Sequence, residues 1–349
     1  MDGRLTIVLP SLPAEVVGLL SNEAIENELA SSISLTAPNL QRVLARANKS
    51  SQSNNDWHSR LAEQFSLSSE SLPVAALRAK ADGLEVEDSN WLCADIVHLR
   101  PDLDHILLFD STSFDYVQAE CNQLFNELNK LFVDESFEFI YAQDGRGYCR
   151  LSKPVATIFT PLSQVHGKNI LPFLPKEGDE KFWRRTLNEI QMKLTVSDVN
   201  QARENQGYVG VNGLWLWGVG PLPKLSNSVF SKVFCNDAFA KGLAQCSQVE
   251  HANLDGAGVT SLFSGEEVLL VDDGLCDKDD LANCVNKIEA IEKCWITPAV
   301  KALRNGSLKE LRLSCDGVSY RLTSGMLRRW WRRDLKALDV LKYLSGRNN

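Results

Sequence analysis

The chain has 349 residues, of which 44% are hydrophobic and 23% are charged, and its formal net charge at pH 7 is −8. These proportions are typical of a globular protein with a sizeable core, and they exclude the fibrous and extensively disordered classes. The negative balance argues against nucleic-acid binding over the whole surface, although it is compatible with a local basic patch.

The first half of the chain alternates predicted strands and helices, beginning with a strand at 5–9. Apolar residues that recur every three or four positions predict helices, and short apolar runs between turn residues predict strands. The polar stretch 49–55 is interpreted as a loop. Helices are predicted at 14–29, 39–47, 57–65, 74–81 and 116–132, and further strands at 91–97, 106–109, 137–142 and 148–151.

The second half repeats this alternation. Helices are predicted at 181–194, 237–244, 279–303 (with a kink or break at Pro298) and 325–344, and strands at 229–234 and 268–271 and, as edge strands, at 308–313 and 319–322. No repeat and no Gly/Ser linker interrupts the pattern. We therefore expect an α/β fold with one domain over residues 1–349. Its mixed, mostly parallel sheet would be flanked by helices in three layers, and a basic, aromatic helix at 325–349 would dock on it.

Cysteine usage and the N-terminal sequence predict a reduced, cytoplasmic protein. The chain has nine cysteines, an odd number, and none forms a Cys-x-x-Cys pair. Residues 1–20 contain two prolines and lack the features of a signal peptide, and no run reaches the ~18 apolar residues of a membrane span. Buried free thiols are expected at Cys93, Cys149, Cys235, Cys294 and Cys315.

The run from Val211 to Pro221 is the most informative stretch of the chain. Its apolar residues and two tryptophans predict a short buried strand. The glycines and proline at its end are expected to stop the pairing and to turn the backbone sharply. In open α/β sheets, ligand sites form at such strand ends. The alternative is a core strand that ends in a tight turn.

Polar residues near this run are the best candidates for a ligand site. Amides and a guanidinium can bind a carboxylate or phosphate through directional hydrogen bonds. The alternative is that they cap helices and satisfy buried backbone groups. The candidate ligand-binding residues are Asn188, Gln191, Asn200, Arg203, Asn212, Trp217, Gly218 and Gly220.

A second set of candidates ends two predicted strands. His98, Arg100 and Asp110 could border one crevice, although a salt bridge in a strand-end loop explains them equally well. His98 with Asp95 or Asp110 could form an acid–base pair. No nucleophile signature accompanies them, so we assign no catalytic residue.

The C-terminal sequence combines four arginines with two tryptophans. Arg328, Arg329, Arg332 and Arg333 could bind an acidic protein or the phosphates of a nucleic acid whose bases stack on the indoles. On a helix, Leu327, Trp331, Leu335, Leu338 and Leu341 would form an apolar stripe that docks on the body, with the arginines as its solvated edge.

Several segments together resemble a known family. They are 212–220 with Gly242-Leu243-Ala244, the run 35–45 around Thr36-Ala37-Pro38-Asn39-Leu40, the strand 94–100 and the helix 287–292. They are similar to segments of archaeal-type cofactor-independent phosphoglycerate mutases, in the alkaline phosphatase superfamily. The segment 187–192, the tryptophan run and the C-terminal Trp-Arg-Arg further resemble a degenerate proteobacterial branch that includes RpfE-type regulatory proteins. The resemblance implies an alkaline-phosphatase-like core.

The departures from that family concern its chemistry. The resemblance implies two metal ions held by aspartates and histidines, together with a hydroxyl nucleophile. Here Leu-Pro-Ser-Leu at 9–12 replaces the family's Asp-Gly turn, and Leu72 or Pro73 stands at the nucleophile position. The loop 272–280 carries carboxylates but no histidine, and Asp316-Gly317 replaces an Asp-His pair. We therefore expect no metal and no cofactor.

Three functions follow from these observations. The preferred one is a non-catalytic regulatory or ligand-binding protein on a phosphoglycerate-mutase-like scaffold, with a small phosphorylated or carboxylate ligand. The alternative is an active 2,3-bisphosphoglycerate-independent phosphoglycerate mutase or a related phosphotransfer enzyme. The third is a nucleic-acid-associated factor that uses the C-terminal arginines. No membrane partner is expected.

Overall fold

The computed structural model describes residues 3–9, 12, 14–20, 34–51, 56–67, 72–86, 89–226, 228–256, 266–274 and 281–345. The chain divides into two compact units. Residues 1–69 and 225–349 form the parallel-sheet unit, and residues 70–224 form the antiparallel-sheet unit. The expectation of one domain over residues 1–349 stays a prediction.

The parallel-sheet unit is built on seven strands. They are β1 (Arg4–Leu9), β2 (Asn48–Ser51), β8 (Lys232–Cys235), β9 (Glu250–Ala252), β10 (Glu267–Val271), β11 (Glu310–Cys315) and β12 (Val318–Thr323). Their order is β2-β12-β11-β1-β10-β8-β9. The five strands from β11 to β9 are parallel, whereas β12 and β2 are antiparallel to their neighbours. The predicted α/β class with a mostly parallel sheet is thus confirmed.

Both faces of the central strands β1 and β10 are buried. Leu5, Ile7 and Leu9 of β1 belong to a core shared with several helices, while Leu269 and Val271 of β10, on the other face, are also fully buried. Continuous apolar strands of this kind are typical of parallel sheets covered on both sides. The helices of the unit are Ala14–Leu19, Pro38–Arg46, Trp57–Gln64, Ala238–Cys246, Leu281–Ile291, Thr297–Asn305 and Ala337–Leu344.

Two predictions about the sheet margin are wrong. The strands expected at 308–313 and 319–322 as edges are interior, because β11 lies between β1 and β12, and β12 between β11 and β2. The outer strand is β2, which occupies part of the stretch predicted as a loop, and residues 52–55 of that stretch lie outside the described residues. All four residues of β2 are polar and exposed, so its strand character has no hydrophobic signal.

The helix Pro38–Arg46 is capped by a carboxylate from another helix. Its own N-cap residue is an alanine that offers no side-chain hydrogen bond. Instead Glu292 accepts hydrogen bonds from the backbone N–H groups of Asn39 at 3.1 Å and Leu40 at 2.8 Å. Glu292 opens a π-helical turn, Glu292–Ile296, which precedes the expected irregularity at Pro298. Two of the segments that resemble the mutases therefore meet here in a structural role.

Replacing Glu292 by alanine should lower the free energy of unfolding by about 2 kcal/mol, because orphan N–H groups at a helix start lose a charged acceptor. Glu289→Ala is the matched control, since Glu289 accepts one bond, from the Thr36 N–H at 2.7 Å. Urea denaturation of both variants measures the difference. Equal losses for the two variants would contradict the capping role.

The antiparallel-sheet unit contains a second sheet that the sequence did not predict. Its strands are β3 (Asn90–Asp102), β4 (His105–Asp110), β5 (Phe137–Gln143), β6 (Arg146–Leu151) and β7 (Gly213–Pro221). The long β3 pairs with β4, β6 and β7, and every pairing in this sheet is antiparallel. Four helices accompany it, namely Val74–Ala81, Gln118–Leu131, Glu180–Thr195 and Asp198–Asn205.

None of the described cysteines forms a disulfide, and four of the five predicted buried thiols are buried. Cys294 is the exception, because it lies on the exposed side of the π-helical turn Glu292–Ile296. None of the described helices is long and apolar enough to cross a membrane.

Candidate functional site

The tryptophan strand β7 continues through its glycines, and the prediction that they stop the pairing is wrong. Trp217 pairs with Cys93, and Gly220 pairs with Trp91, so β7 carries one more residue than β3 over this interval. Gly218, at φ +66°, occupies this bulge. A β-bulge inserts one residue and re-aims the strand without ending it.

Trp217 lies beside a buried ion pair. Its indole Nε1 donates to Asp95 Oδ2 at 2.8 Å. Both Asp95 oxygens also accept hydrogen bonds from Arg78 at 3.0 Å, and the Arg78 guanidinium lies 5.3 Å from the centroid of the Trp217 ring. The side chains of Arg78 and Asp95 are only 9% and 6% exposed. A bidentate, desolvated pair of this kind holds its partners in one geometry.

A second carboxylate, Asp82, anchors the neighbouring part of the cluster. Tyr148 donates its hydroxyl proton to Asp82 at 2.6 Å, and Arg146 donates to both carboxylate oxygens at 2.8 and 3.0 Å. The Tyr148 ring in turn contacts the Arg78 guanidinium, 5.9 Å from its centroid. Arg78, Asp82, Asp95, Arg146, Tyr148 and Trp217 thus form one network, called the buried ionic cluster below.

The cluster keeps its nucleophilic groups protonated. Burial raises the pKa of the Cys93 thiol, although Arg78 Nη1 lies 3.4 Å from its sulfur. Burial also raises the pKa of the Tyr148 hydroxyl. For Arg78, burial lowers the pKa, but the neighbouring groups, with the Asp95 carboxylate foremost, together raise it by more, so the pKa is raised and the cation persists. Reactive cysteines need a depressed pKa, so Cys93 is suited to packing.

Asp82 gives the unit an acid-sensitive contact. Burial raises its pKa, but hydrogen bonds from Arg146 and Tyr148 outweigh burial and lower the pKa below its ordinary 3.8. A carboxyl group with a depressed folded pKa stabilises the protein above its unfolded pKa and loses that contribution as pH falls below about 4.

We therefore expect the stability difference between the wild type and Asp82→Asn to be largest near neutrality and to shrink below about pH 4. Asp144→Asn is the control, because Asp144 is 73% exposed and lies 3.4 Å from the same Arg146. Urea denaturation across this pH range measures both differences. A gap between wild type and Asp82→Asn that stays constant down to pH 3 would contradict the assignment.

Sequence reasoning missed Arg78, Asp82, Arg146 and Tyr148. A signal was present, because Arg78 and Asp95 are charged residues inside two otherwise apolar runs. Opposite charges in two buried elements favour a buried pair, since an unpaired charge there is costly.

Two of the predicted ligand residues, Asn200 and Asn212, bond backbone groups through their side-chain amides. Asn200 is 1% exposed and exchanges two hydrogen bonds with Val211 at 2.8 and 2.9 Å. Asn212 does the same with Leu99 at 2.7 and 2.9 Å, so its amide extends the β3 ladder. The alternative to a ligand-binding role is that these amides satisfy buried backbone groups, and these hydrogen bonds are of that kind.

Arg203 is also engaged within the unit. It is 3% exposed and donates to the Val209 carbonyl at 2.9 Å, to Glu120 at 2.5 Å and to the Asp115 carbonyl. Asn188 is exposed and Gln191 is half-buried on the helix Glu180–Thr195. The ligand-binding role of the whole set stays a prediction.

The register separates the second set of candidates. His98 lies opposite Phe109 and Asp110 lies opposite Val97, so His98 and Asp110 occupy positions that alternate between faces. His98 Nδ1 bonds the Gly210 carbonyl at 2.8 Å, and Arg100 lies 4.6 Å from the Phe109 ring centroid.

Asp110 instead pairs with His166 at 3.1 Å and accepts from Thr112 at 2.6 Å. Burial raises the pKa of the Asp110 carboxyl, but the contacts with His166 and Thr112 together outweigh burial, so the pKa is below its ordinary value. Asp95 belongs to the buried ionic cluster. Neither carboxylate is therefore the hydrogen-bond partner of His98.

Carboxylates also follow several of the parallel strands, among which the resemblance implies metal ligands at 9–12, 272–280 and 316–317. Asp237 follows β8 and caps the next helix by accepting from the Ala240 N–H at 2.7 Å. Asp316 and Gly317, at φ +42° and +75°, form the two-residue turn between β11 and β12. Positive φ at both positions is the signature of a type I′ hairpin turn, which favours Asp-Gly.

Asp272 follows β10 and accepts from the Trp295 indole and the Gly274 N–H, each at 3.2 Å. Within the described residues, no group of three or more His, Cys, Asp or Glu side chains is placed to hold a metal ion. Residues 10, 11, 69–71 and 275–280 of the predicted ligand segments lie outside the description. The described donors do not fit a two-metal set.

The predicted helix at 325–344 is broken, so the apolar stripe predicted along it from Leu327 to Leu341 does not form as one helical face. A 3₁₀ turn, Met326–Arg328, is followed by irregular chain, and the α-helix begins only at Ala337. Trp330 and Trp331 are 81% and 65% exposed, so Trp331 does not join an apolar stripe.

Two of the four arginines act within the chain. Arg329 donates to the Arg46 carbonyl at 2.9 Å, and Arg332 donates to the Ala47 carbonyl at 3.1 Å. These contacts satisfy carbonyl groups at the end of the helix Pro38–Arg46.

Comparison with known proteins finds distant similarity to one curated protein. No family model matches it. Over 193 residues it is 25% identical to a probable 2,3-bisphosphoglycerate-independent phosphoglycerate mutase of Geobacter sulfurreducens, a match that covers 52% of this chain and 47% of the relative. The matched stretch thus spans about half the length of that curated relative.

Solved structures extend the likeness to the fold. The PH0037 protein of Pyrococcus horikoshii superposes with a TM-score of 0.54 at 14% identity, over 100% of this chain and 98% of the other. A cofactor-independent phosphoglycerate mutase of Thermoplasma acidophilum gives a TM-score of 0.47 at 13% identity over 99% of both chains. The superposition on PH0037 supports the α/β fold, and the sequence match gives a distant similarity to a bisphosphoglycerate-independent phosphoglycerate mutase.

Proposed function

We propose that this chain is a bacterial regulatory protein that keeps a phosphoglycerate-mutase-like scaffold without the mutase's two-metal chemistry. In this proposal it binds a small phosphorylated or carboxylate ligand and is related to the RpfE-type regulatory proteins. The observation that carries the proposal is the use of the strand-end carboxylates. Asp237 caps a helix, Asp272 accepts from an indole, and Asp316 forms a hairpin turn.

The test is interconversion of 2- and 3-phosphoglycerate in the presence of Mn²⁺, with a metal-dependent mutase assayed alongside. We expect no turnover above the protein-free rate. Turnover that disappears in Asp272→Asn and Asp237→Asn would instead establish the alternative, an active mutase. The two substitutions are informative because both carboxylates follow parallel strands, where the superfamily's ligands are expected.

A second proposal concerns the exposed part of the C-terminal segment. Trp330 and Trp331 lie side by side with ring centroids 6.1 Å apart, and Arg328 and Arg333 beside them are exposed. Exposed indoles flanked by guanidinium groups suit single-stranded nucleic acid, because bases stack on the rings and phosphates bind the cations.

Titration of oligothymidylate should quench tryptophan fluorescence in the wild type and much less in the Trp330→Ala/Trp331→Ala variant. Arg328→Gln/Arg333→Gln should weaken binding and flatten its salt dependence. Arg304→Gln is the control, because Arg304 is an exposed arginine elsewhere in the same unit. Binding of an acidic protein without binding of the oligonucleotide would contradict the proposal.

A further inference from the structure

A polar cleft lies on one face of the sheet in the parallel-sheet unit. Its volume is about 270 Å³, and Gln64, the last residue of the helix Trp57–Gln64, lies at its margin. The rest of the lining comes from four adjacent strands, β1, β11, β12 and β2. These lining residues are Thr6, Ser50, Arg312, Ser314, Ser319 and Arg321.

The strand register arranges these residues in two rows across the sheet. In the first row, Thr6 pairs with Arg312, which pairs with Arg321. In the second row, Ser314 pairs with Ser319, which pairs with Ser50. Because the two rows are two residues apart along each strand, they point to the same face.

The floor of the cleft is unusually polar for a buried sheet. Thr6 and Ser314 are only 4% and 7% exposed. Their neighbours Ile7 and Leu313 on the opposite face belong to the hydrophobic core. The polar face is thus a local exception in an otherwise apolar sheet, and such exceptions are expected at functional sites.

The two arginines stand directly opposite each other, an arrangement that costs stability because like charges repel. Glu310 partly relieves the cost, since its two oxygens accept from Arg312 Nε and Arg321 Nε, each at 2.6 Å. Burial raises the pKa of Glu310, but the contacts with Arg321 and Arg312 lower it by more than burial raises it. The net pKa is below the ordinary value, so the carboxylate stays ionised. One carboxylate against two guanidinium groups leaves the cleft with a net positive charge.

Hydrogen-bond donors remain in the cleft. Arg312 is 40% exposed, and among the described residues it bonds only Glu310, through Nε, so its two Nη groups have no protein acceptor. Guanidinium Nη groups beside hydroxyls are a donor set that matches the oxygens of phosphate. The volume lies just below the ~300–1,000 Å³ of pockets for drug-sized ligands, which favours a small anion.

We propose that this cleft binds a small phosphate monoester, with the phosphoryl oxygens on Arg312 and Arg321 and the organic part beside the serine hydroxyls. This inference rests on the proposed function and deepens it, because it names the ligand class. It also places the ligand in the parallel-sheet unit, at residues other than those predicted around Trp217.

The experiment is isothermal titration of the full chain with inorganic phosphate, glycerol 3-phosphate and glycerol. We expect saturable binding of glycerol 3-phosphate, weaker binding of phosphate and none of glycerol. Arg312→Gln and Arg321→Gln should each weaken binding at least about tenfold, the value of one charged hydrogen bond. Arg304→Gln, an exposed arginine outside the cleft, should stay within about twofold of the wild type.

If an arginine variant fails to fold, a variant that is expected to strengthen binding keeps the test decisive. Glu310→Gln removes the carboxylate that the described residues place beside the two guanidinium groups while keeping an amide oxygen as acceptor, so it should tighten phosphate-ester binding severalfold. The proposal that this cleft binds a phosphate monoester would be overturned if the wild type showed no saturable binding. Unchanged binding in Arg312→Gln and Arg321→Gln would overturn it as well. Mutase turnover with intact cleft binding would overturn only the non-catalytic proposal.

Discussion

Replacing Arg78 by methionine is expected to lower the free energy of unfolding by about 3–5 kcal/mol, because it leaves a buried carboxylate without its cation. Arg78 donates to both oxygens of Asp95 at 3.0 Å, and Trp217 donates to the same carboxylate at 2.8 Å. In the variant the indole alone would face the charge. Urea denaturation at neutral pH measures the loss.

Two further variants separate the ion pair from general loss of packing. The double variant Arg78→Met/Asp95→Leu should recover most of the stability, because replacing both partners of a buried pair by apolar groups is often nearly neutral. Arg185→Met is the matched control at an exposed pair, 3.4 Å from Glu189, and should change stability by no more than about 0.5 kcal/mol. If Arg78→Met cost no more than Arg185→Met, the buried ionic cluster would not stabilise the unit.

Gly218→Ala should cost about 2–5 kcal/mol, through backbone strain and a steric clash together. The residue has φ +66°, where a side chain costs roughly 1–2 kcal/mol. A Cβ atom there would lie 2.9 Å from Val74 Cβ at the start of the helix Val74–Ala81, which adds an overpacking cost of about 1–3 kcal/mol. Thermal and urea unfolding of the variant measure the sum.

Gly83→Ala isolates the backbone part of this effect. Gly83 has φ +85°, and no atom lies within 4 Å of the position that its Cβ would take. We expect this variant to lose only about 1 kcal/mol. Equal losses at Gly218 and Gly83 would show that close packing of the helix against β7 does not require glycine.

Elements with a strong apolar period could be predicted from the sequence. The helix at 74–81 is confirmed at its predicted boundaries, and the core strands of the parallel sheet are found within a few residues of their predicted places. Burial of apolar side chains dominates these segments, so their pattern carries the structural information. The mostly parallel sheet followed from their alternation with helices.

The wrong predictions arise where contacts between distant segments decide the local structure. β2 is polar and pairs only because β12 offers an edge, and the C-terminal tryptophans leave the helix because Arg329 and Arg332 bind the end of the helix Pro38–Arg46. The bulge at Gly218 likewise depends on its partner strand β3. None of these partners is visible in a local window of sequence.

The candidate site shows the same division. Sequence reasoning selected amides and a guanidinium near Trp217, and the structure gives Asn200, Arg203 and Asn212 backbone partners. The polar cleft was not predicted, because Thr6 and Ser50 are hundreds of positions away from β11 and β12 and meet them only through the strand register. Residue type alone could not bring Arg312 and Arg321 beside Thr6.

The central claim is that the scaffold persists after the metal-binding side chains have been lost or given structural roles. Anomalous diffraction from crystals of the full chain soaked in manganese tests it directly. We expect no pair of neighbouring ions at the carboxyl ends of β1, β8, β10 and β11. Two ions a few ångströms apart, held there by side chains of this chain, would contradict it.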